Sequence, residues 1–118
     1  MRIEELKKLG VNTEEGVNRC AGNEAFYLKM VAKALECDRY KTLEECIRSG
    51  NPDAAFDAAH ALKGVLANLS LTPVFEPVNE ITELLRTRQN ADYSDLLSVM
   101  WDQRNALAEL FMEDRKDK

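Results

Sequence analysis

The sequence predicts an all-α protein: an antiparallel up-and-down four-helix bundle with short extra helices at its N-terminus. Three observations lead there. Apolar residues recur at the spacing of one helix face through nearly the whole chain, and no segment shows the strict alternation of a half-buried strand. The five glycines and three prolines fall mostly between those periodic segments, where they act as punctuation. The connections that remain between the long segments are short, which makes consecutive helices antiparallel neighbours.

Each element follows from local signals. The opening Met1-Arg2-Ile3-Glu4-Glu5-Leu6-Lys7-Lys8 is amphipathic and charged, without the apolar stretch of a secretory signal. Thr13 is the expected N-cap of a short helix whose first residues, Glu14 and Glu15, suit the positive end of the helix dipole. Asn23 caps a helix over 24–36, with Phe26, Tyr27, Met30, Val31, Ala34 and Leu35 at helical spacing. A third helix is expected over about 39–48, with Leu43 and Ile47 inward and a stop at Ser49-Gly50.

Asn51 then caps a segment with Pro52 at its first helical position, where a missing N–H costs nothing, and this helix runs to about Ser70. Thr72-Pro73 repeats the cap-then-proline signal, followed by a buried stripe of Val74, Val78, Ile81 and Leu85. Pro77 removes a backbone donor there, so that helix is either kinked near Pro77 or regular only from it. The last helix, about Tyr93 to Arg115, carries Leu96, Leu97, Met100, Leu107, Leu110 and Phe111 and ends in a charged tail expected to fray. At 118 residues the chain is expected to form one domain over 1–118, with short helices over 1–22, the bundle over 23–115 and the tail at 116–118.

Composition narrows the function. With 45% hydrophobic and 31% charged residues, and no apolar run of membrane-spanning length, the chain reads as a cytoplasmic globular protein with no membrane partner. Its 16 basic and 21 acidic side chains leave a net charge of −5, and the basic residues are scattered, which argues against nucleic-acid binding. Cys20, Cys37 and Cys46 are odd in number and show no Cys-x-x-Cys spacing, so structural thiols are expected rather than disulfides or zinc. One histidine cannot build a histidine-rich metal site, and no metal or cofactor is expected.

That histidine lies in the most informative stretch, 53–69. At about 100° per residue, Ala55, Ala58, Ala59, Leu62, Val65, Leu66 and Leu69 form one apolar face. His60 points nearly opposite Leu62, so it is expected in solvent, where a lone histidine is ordinarily a solvated bystander. Its neighbours argue otherwise. Lys63 and Gly64 lie three and four positions on, adjacent to His60 on the helix surface. A glycine inside a helix costs about 1 kcal/mol relative to alanine, and close approach by a partner is a sufficient reason for it.

An exposed imidazole is a good nucleophile near neutral pH and can hold a phosphoryl group as a phosphoramidate. Lys63 offers a flexible cation to the phosphoryl oxygens, and the bare backbone of Gly64 leaves room for the partner's reacting group. Phe56 and Ala67 would flank the site as apolar docking surface, although Phe56 could equally be an aromatic resting on a neighbouring helix.

His60-Ala61-Leu62-Lys63-Gly64 resembles the His-x-Leu-Lys-Gly signature of histidine phosphotransfer (HPt) domains, the phosphocarriers of two-component phosphorelays. Gly10-Val11, Gly16, the 22–27 stretch and Ala67-Asn68-Leu69 also resemble the family pattern, so the likeness covers most of the chain. It implies a phosphocarrier without kinase activity of its own, which takes a phosphoryl group from the aspartate of one receiver domain and passes it to another. The receivers would belong to response regulators or hybrid sensor histidine kinases, and the carrier would be a monomer.

By the same resemblance His60 is the phosphorylated residue, Lys63 stabilises its charge and Gly64 provides clearance. Polar groups on the next long helix, Asn79, Thr82 and Arg86, would form a second wall. The chain departs from the family pattern in having Val65-Leu66 directly after the glycine, and Ser70 where a glycine is common. Two other readings remain open: a helical adaptor that binds a receiver without being phosphorylated, and a phosphotransfer module excised from a hybrid or chemotaxis-type kinase.

Overall fold

Asparagine side chains start three of the seven helices found among the described residues. The computed structural model describes residues 2–87 and 91–116. Its helices are α1 (Arg2–Lys8), α2 (Thr13–Arg19), α3 (Glu24–Glu36), α4 (Arg39–Arg48), α5 (Pro52–Asn68), α6 (Thr72–Arg86) and α7 (Ser94–Lys116). Asn12, Asn23 and Asn51 each accept a hydrogen bond from the backbone N–H three residues on, at 3.2, 3.0 and 3.2 Å. An amide oxygen here satisfies one of the donors that a helix start leaves unpaired. The protein is all-helical, with no strand among the described residues.

Four helices end alike. Gly10, Ala21, Gly50 and Ser70 sit just past α1, α2, α4 and α5 with φ of 97°, 57°, 74° and 55°. The next residue closes each turn, as in the 3.0 Å bond from the Leu71 N–H to the Leu66 carbonyl. This left-handed turn satisfies carbonyls that the helix end would leave free, and it favours glycine because a Cβ strains it. Ser70 therefore occupies a position whose geometry accounts for the glycine expected there.

Two of the expected caps fall elsewhere. Thr13 is the first residue of α2 and is 5% exposed; Asn12 before it makes the cap. Thr72 is likewise inside α6, whose N-cap residue is Leu71, and no side chain caps that end. The helix runs unbroken from Thr72 through the buried Pro77, so it does not wait for that proline to become regular. Phe26, one of the apolar residues at helical spacing in α3, is 48% exposed. Met1 and the last two residues of the expected tail lie outside the described residues.

Helix α5 is central, packed on α4 on one side and α6 on the other; α6 also packs on α7, and α7 on α3. Ala55, Ala59, Leu62, Leu66 and Leu69 of the apolar face are buried, whereas Ala58 and Val65 at its margins are half-buried. Facing them, Val74, Val78, Ile81 and Leu85 put the expected stripe of α6 into the same core.

The N-terminal segment is fastened to the end of α5. The Asn12 N–H donates to the Ser70 carbonyl at 3.2 Å, and the Ser70 hydroxyl donates to Glu15 Oε1 at 2.9 Å. The buried Tyr27 hydroxyl donates to the Leu69 carbonyl. Tyr27 in turn lies so close to Gly16 that a Cβ at Gly16 would collide with its ring.

Candidate functional site

The burial of Leu62 fixes the orientation of its neighbours on α5. With Leu62 fully buried, His60 and Gly64 come out exposed, and Lys63 is half-buried. The face assigned to His60 from periodicity is the one the structure displays. None of the ion pairs among the described residues engages Lys63, which lies three positions after His60 on α5.

Gly64 has no packing reason of its own. A Cβ built there meets nothing within 4 Å, in contrast to Gly16. The molecule would accommodate alanine at this site and gain helix propensity by it.

Helical side chains lean back towards the N-terminus, which carries His60 over the turn that holds Phe56. The two rings stack, with centroids 5.9 Å apart and planes 15° from parallel. From α6, the guanidinium of Arg86 lies 5.4 Å from the centroid of the same Phe56 ring. Arg86 is also held by Glu83, one turn back on its own helix, with Nε donating to Oε2 at 3.1 Å. Glu83 was no part of the sequence-based site, though its spacing from Arg86 is the ordinary signal for such a pair.

The expected second wall is only partly present. Arg86 reaches the site through Phe56. Thr82 does not share its exposed face: it is fully buried, and its hydroxyl donates to the Val78 carbonyl at 2.7 Å. The helix turns Thr82 towards the core beside Val78 and Ile81, and a small threonine fits there because the backbone takes up its hydrogen. Asn79 is half-buried and, among the described residues, forms no hydrogen bond with His60, Lys63 or Arg86. Ala67 is half-buried two turns beyond His60.

The site is a surface rather than a cleft. A cavity of about 750 Å³ is walled by residues such as Ile47, Tyr93, Leu97 and Trp101 and does not include His60. A smaller hollow of about 370 Å³ borders Phe56 and Arg86, between Pro52, Asp53, Asp57 and Leu85. An exposed nucleophile on a convex helix surface can do little to a small molecule, which it neither encloses nor desolvates, but can meet a reactive group that another protein presents.

Residues 27–113 match the family model of the Hpt domain, a stretch that holds α4, α5 and α6 entire. The chain belongs to the Hpt domain family. No curated protein and no solved structure matches it. Hpt domains are the phosphotransfer modules of two-component phosphorelays, where they interact with receiver domains. In this Hpt domain the match encloses His60, Lys63 and Gly64, while α1, α2 and the first three residues of α3 precede it. No helix among the described residues is long and apolar enough to cross a membrane.

Proposed function

We propose that this Hpt domain relays a phosphoryl group between receiver aspartates through a phosphohistidine at His60. The observation that carries this reading is an exposed imidazole next to a helical glycine with open space around it. A receiver can then bring its aspartyl phosphate against α5 without meeting a side chain at position 64.

In the forward step a ring nitrogen of His60 uses its lone pair to attack phosphorus. The N–P bond forms as the P–O bond to the receiver aspartate breaks, and that electron pair leaves on the aspartate carboxylate. The phosphoimidazole is then attacked by the carboxylate of a second receiver, which restores the free imidazole. Both half-reactions exchange one acceptor for another of comparable kind, which is why the transfer runs either way.

Lys63 supports the step by placing a cation near the phosphoryl oxygens as charge builds on them. Arg86 offers a second cation from α6, Ala67 contributes apolar surface for docking, and Phe56 lies against the His60 ring. Asn79 stays in the proposal as a peripheral polar group; Thr82 leaves it, its hydroxyl being spent on Val78. The divalent cation of phosphoryl transfer would arrive with the receiver, and the chain has no kinase activity of its own.

The same reading makes residues 1–118 one domain, a cytoplasmic monomer in which residues 23–115 form the antiparallel up-and-down bundle and α1 and α2 are short additions before it. Its partners are receiver domains of response regulators or hybrid sensor kinases. Mixing the protein with a phosphorylated receiver domain tests it: acid-labile label should appear on the wild type and not on His60→Gln. Label persisting in the variant moves the site elsewhere. Binding without label, across several receivers, favours the adaptor.

A further inference from the structure

The stack of Phe56 on His60 has a role that the apolar character of Phe56 does not explain. A histidine on an exposed helix face is free to exchange among its allowed χ1 wells and to turn its ring about χ2. Only some of those orientations aim a ring nitrogen at a phosphorus brought in above Gly64. Here the ring lies nearly parallel to Phe56 at stacking distance. Phe56 is itself restrained, since it is half-buried and has the Arg86 guanidinium from α6 against its ring. Arg86 is tied to Glu83 at 3.1 Å. The contacts run from Glu83 through Arg86 and Phe56 to the nucleophile, so α6 reaches His60 through an aromatic ring rather than through a hydrogen bond.

We infer that Phe56 is a positioning residue that holds the His60 imidazole in its attacking orientation, and that Arg86 acts on the histidine partly by pinning Phe56. This rests on His60 being the phosphorylated group. It differs from a docking role in what it predicts. A docking residue adds affinity for the receiver, whereas a positioning residue raises the rate once the receiver is bound.

Phe56→Leu separates the two, because leucine keeps an apolar side chain at the surface but cannot stack. Single-turnover transfer from a phosphorylated receiver domain would be followed over a range of receiver concentrations, with circular dichroism to verify the fold. The saturating rate should fall about 2- to 6-fold, the number of staggered and flipped ring orientations released, with the half-saturating concentration unchanged. Phe56→Tyr should restore the rate.

In parallel, proton NMR of the unphosphorylated wild type should show the His60 ring protons displaced upfield by the neighbouring ring, a displacement kept in Phe56→Tyr and lost in Phe56→Leu. An unchanged saturating rate with weakened half-saturation assigns Phe56 to docking and overturns the inference. So do wild-type ring protons at the position of free histidine, a result that needs no variant to fold. A wild type that takes no label from any receiver is a separate result: it removes the phosphotransfer reading itself, and the positioning role with it.

Discussion

The Tyr27 hydroxyl donates a 2.8 Å hydrogen bond to the carbonyl oxygen of Leu69, joining α3 to the end of the helix that bears His60. Both groups are away from water, and the carbonyl belongs to the turn that closes α5. Tyr27→Phe keeps the ring and leaves that carbonyl without its partner, a loss on the order of 1–3 kcal/mol. A lower denaturant midpoint with an unchanged m-value and full helical signal is the expected result. An unchanged midpoint would mean that water replaces the hydroxyl.

The same burial makes stability depend on alkaline pH. Desolvation, with a smaller contribution from Cys20, raises the Tyr27 phenol from 10.0 to about 12. Unfolded chains lose this proton near pH 10 while the folded one retains it. The stabilisation is therefore complete below pH 10 and is lost as pH rises through about 12, a fall on the order of 2–3 kcal/mol. Tyr40 is shifted in the same direction by its own burial. Urea midpoints measured between pH 9 and 12 should decline, and the decline should be shallower in Tyr27→Phe.

Two glycines should respond in opposite ways to alanine. At Gly16 the added Cβ meets the buried ring of Tyr27, which has nowhere to retreat. Gly16→Ala should destabilise the fold by roughly 1–3 kcal/mol, the usual range for overpacking. Gly64→Ala should instead stabilise it by about 1 kcal/mol through helix propensity, since nothing surrounds the new methyl group. Thermal unfolding would show the contrast, and phosphotransfer to the more stable Gly64→Ala protein should nevertheless slow. Equal transfer rates would remove the clearance role from Gly64.

Lys63→Ala should slow phosphotransfer by about 10-fold or more, in the range of losing one charge that stabilises a transition state, while leaving the circular dichroism spectrum intact. Lys63 is half-buried between the exposed His60 and Gly64 and the buried Leu62, so any change in unfolding temperature should be small. Collapse of the helical signal would show that the stem packs more deeply than its exposure indicates.

Much of the helical layout was legible because its signals are local. Asn23 and Asn51 cap the helices they were expected to cap, Ser49-Gly50 ends α4, and five of the seven positions of the expected apolar face, Ala55, Ala59, Leu62, Leu66 and Leu69, are buried while Ala58 and Val65 are half-buried. Caps and face periodicity depend on residues within one or two turns of each other. Two of the misplacements arose where adjacent residues compete for one role. Asn12 and Thr13 can both cap, and the burial of Thr13 against the rest of the molecule decides between them. Phe26 and Tyr27 both carry large rings; the pairing of Tyr27 with Gly16 and Leu69 draws it inward and leaves Phe26 in solvent.

The candidate site divides in the same way. By itself the sequence determined that His60, Lys63 and Gly64 share one face of one helix, because a helix has a fixed angular step and Leu62 must go to the core. It could not determine which side chains of α6 look across at that face. At about 100° per residue Thr82 falls at the margin of the stripe formed by Val78, Ile81 and Leu85, where the helical step alone does not decide between core and surface. Only the packing of α5 against α6 decided that Thr82 is buried, that Arg86 rests on Phe56, and that Phe56 stacks on His60. Those contacts depend on the distance and rotation between two helices, quantities set by the whole core and written in no single segment of the chain.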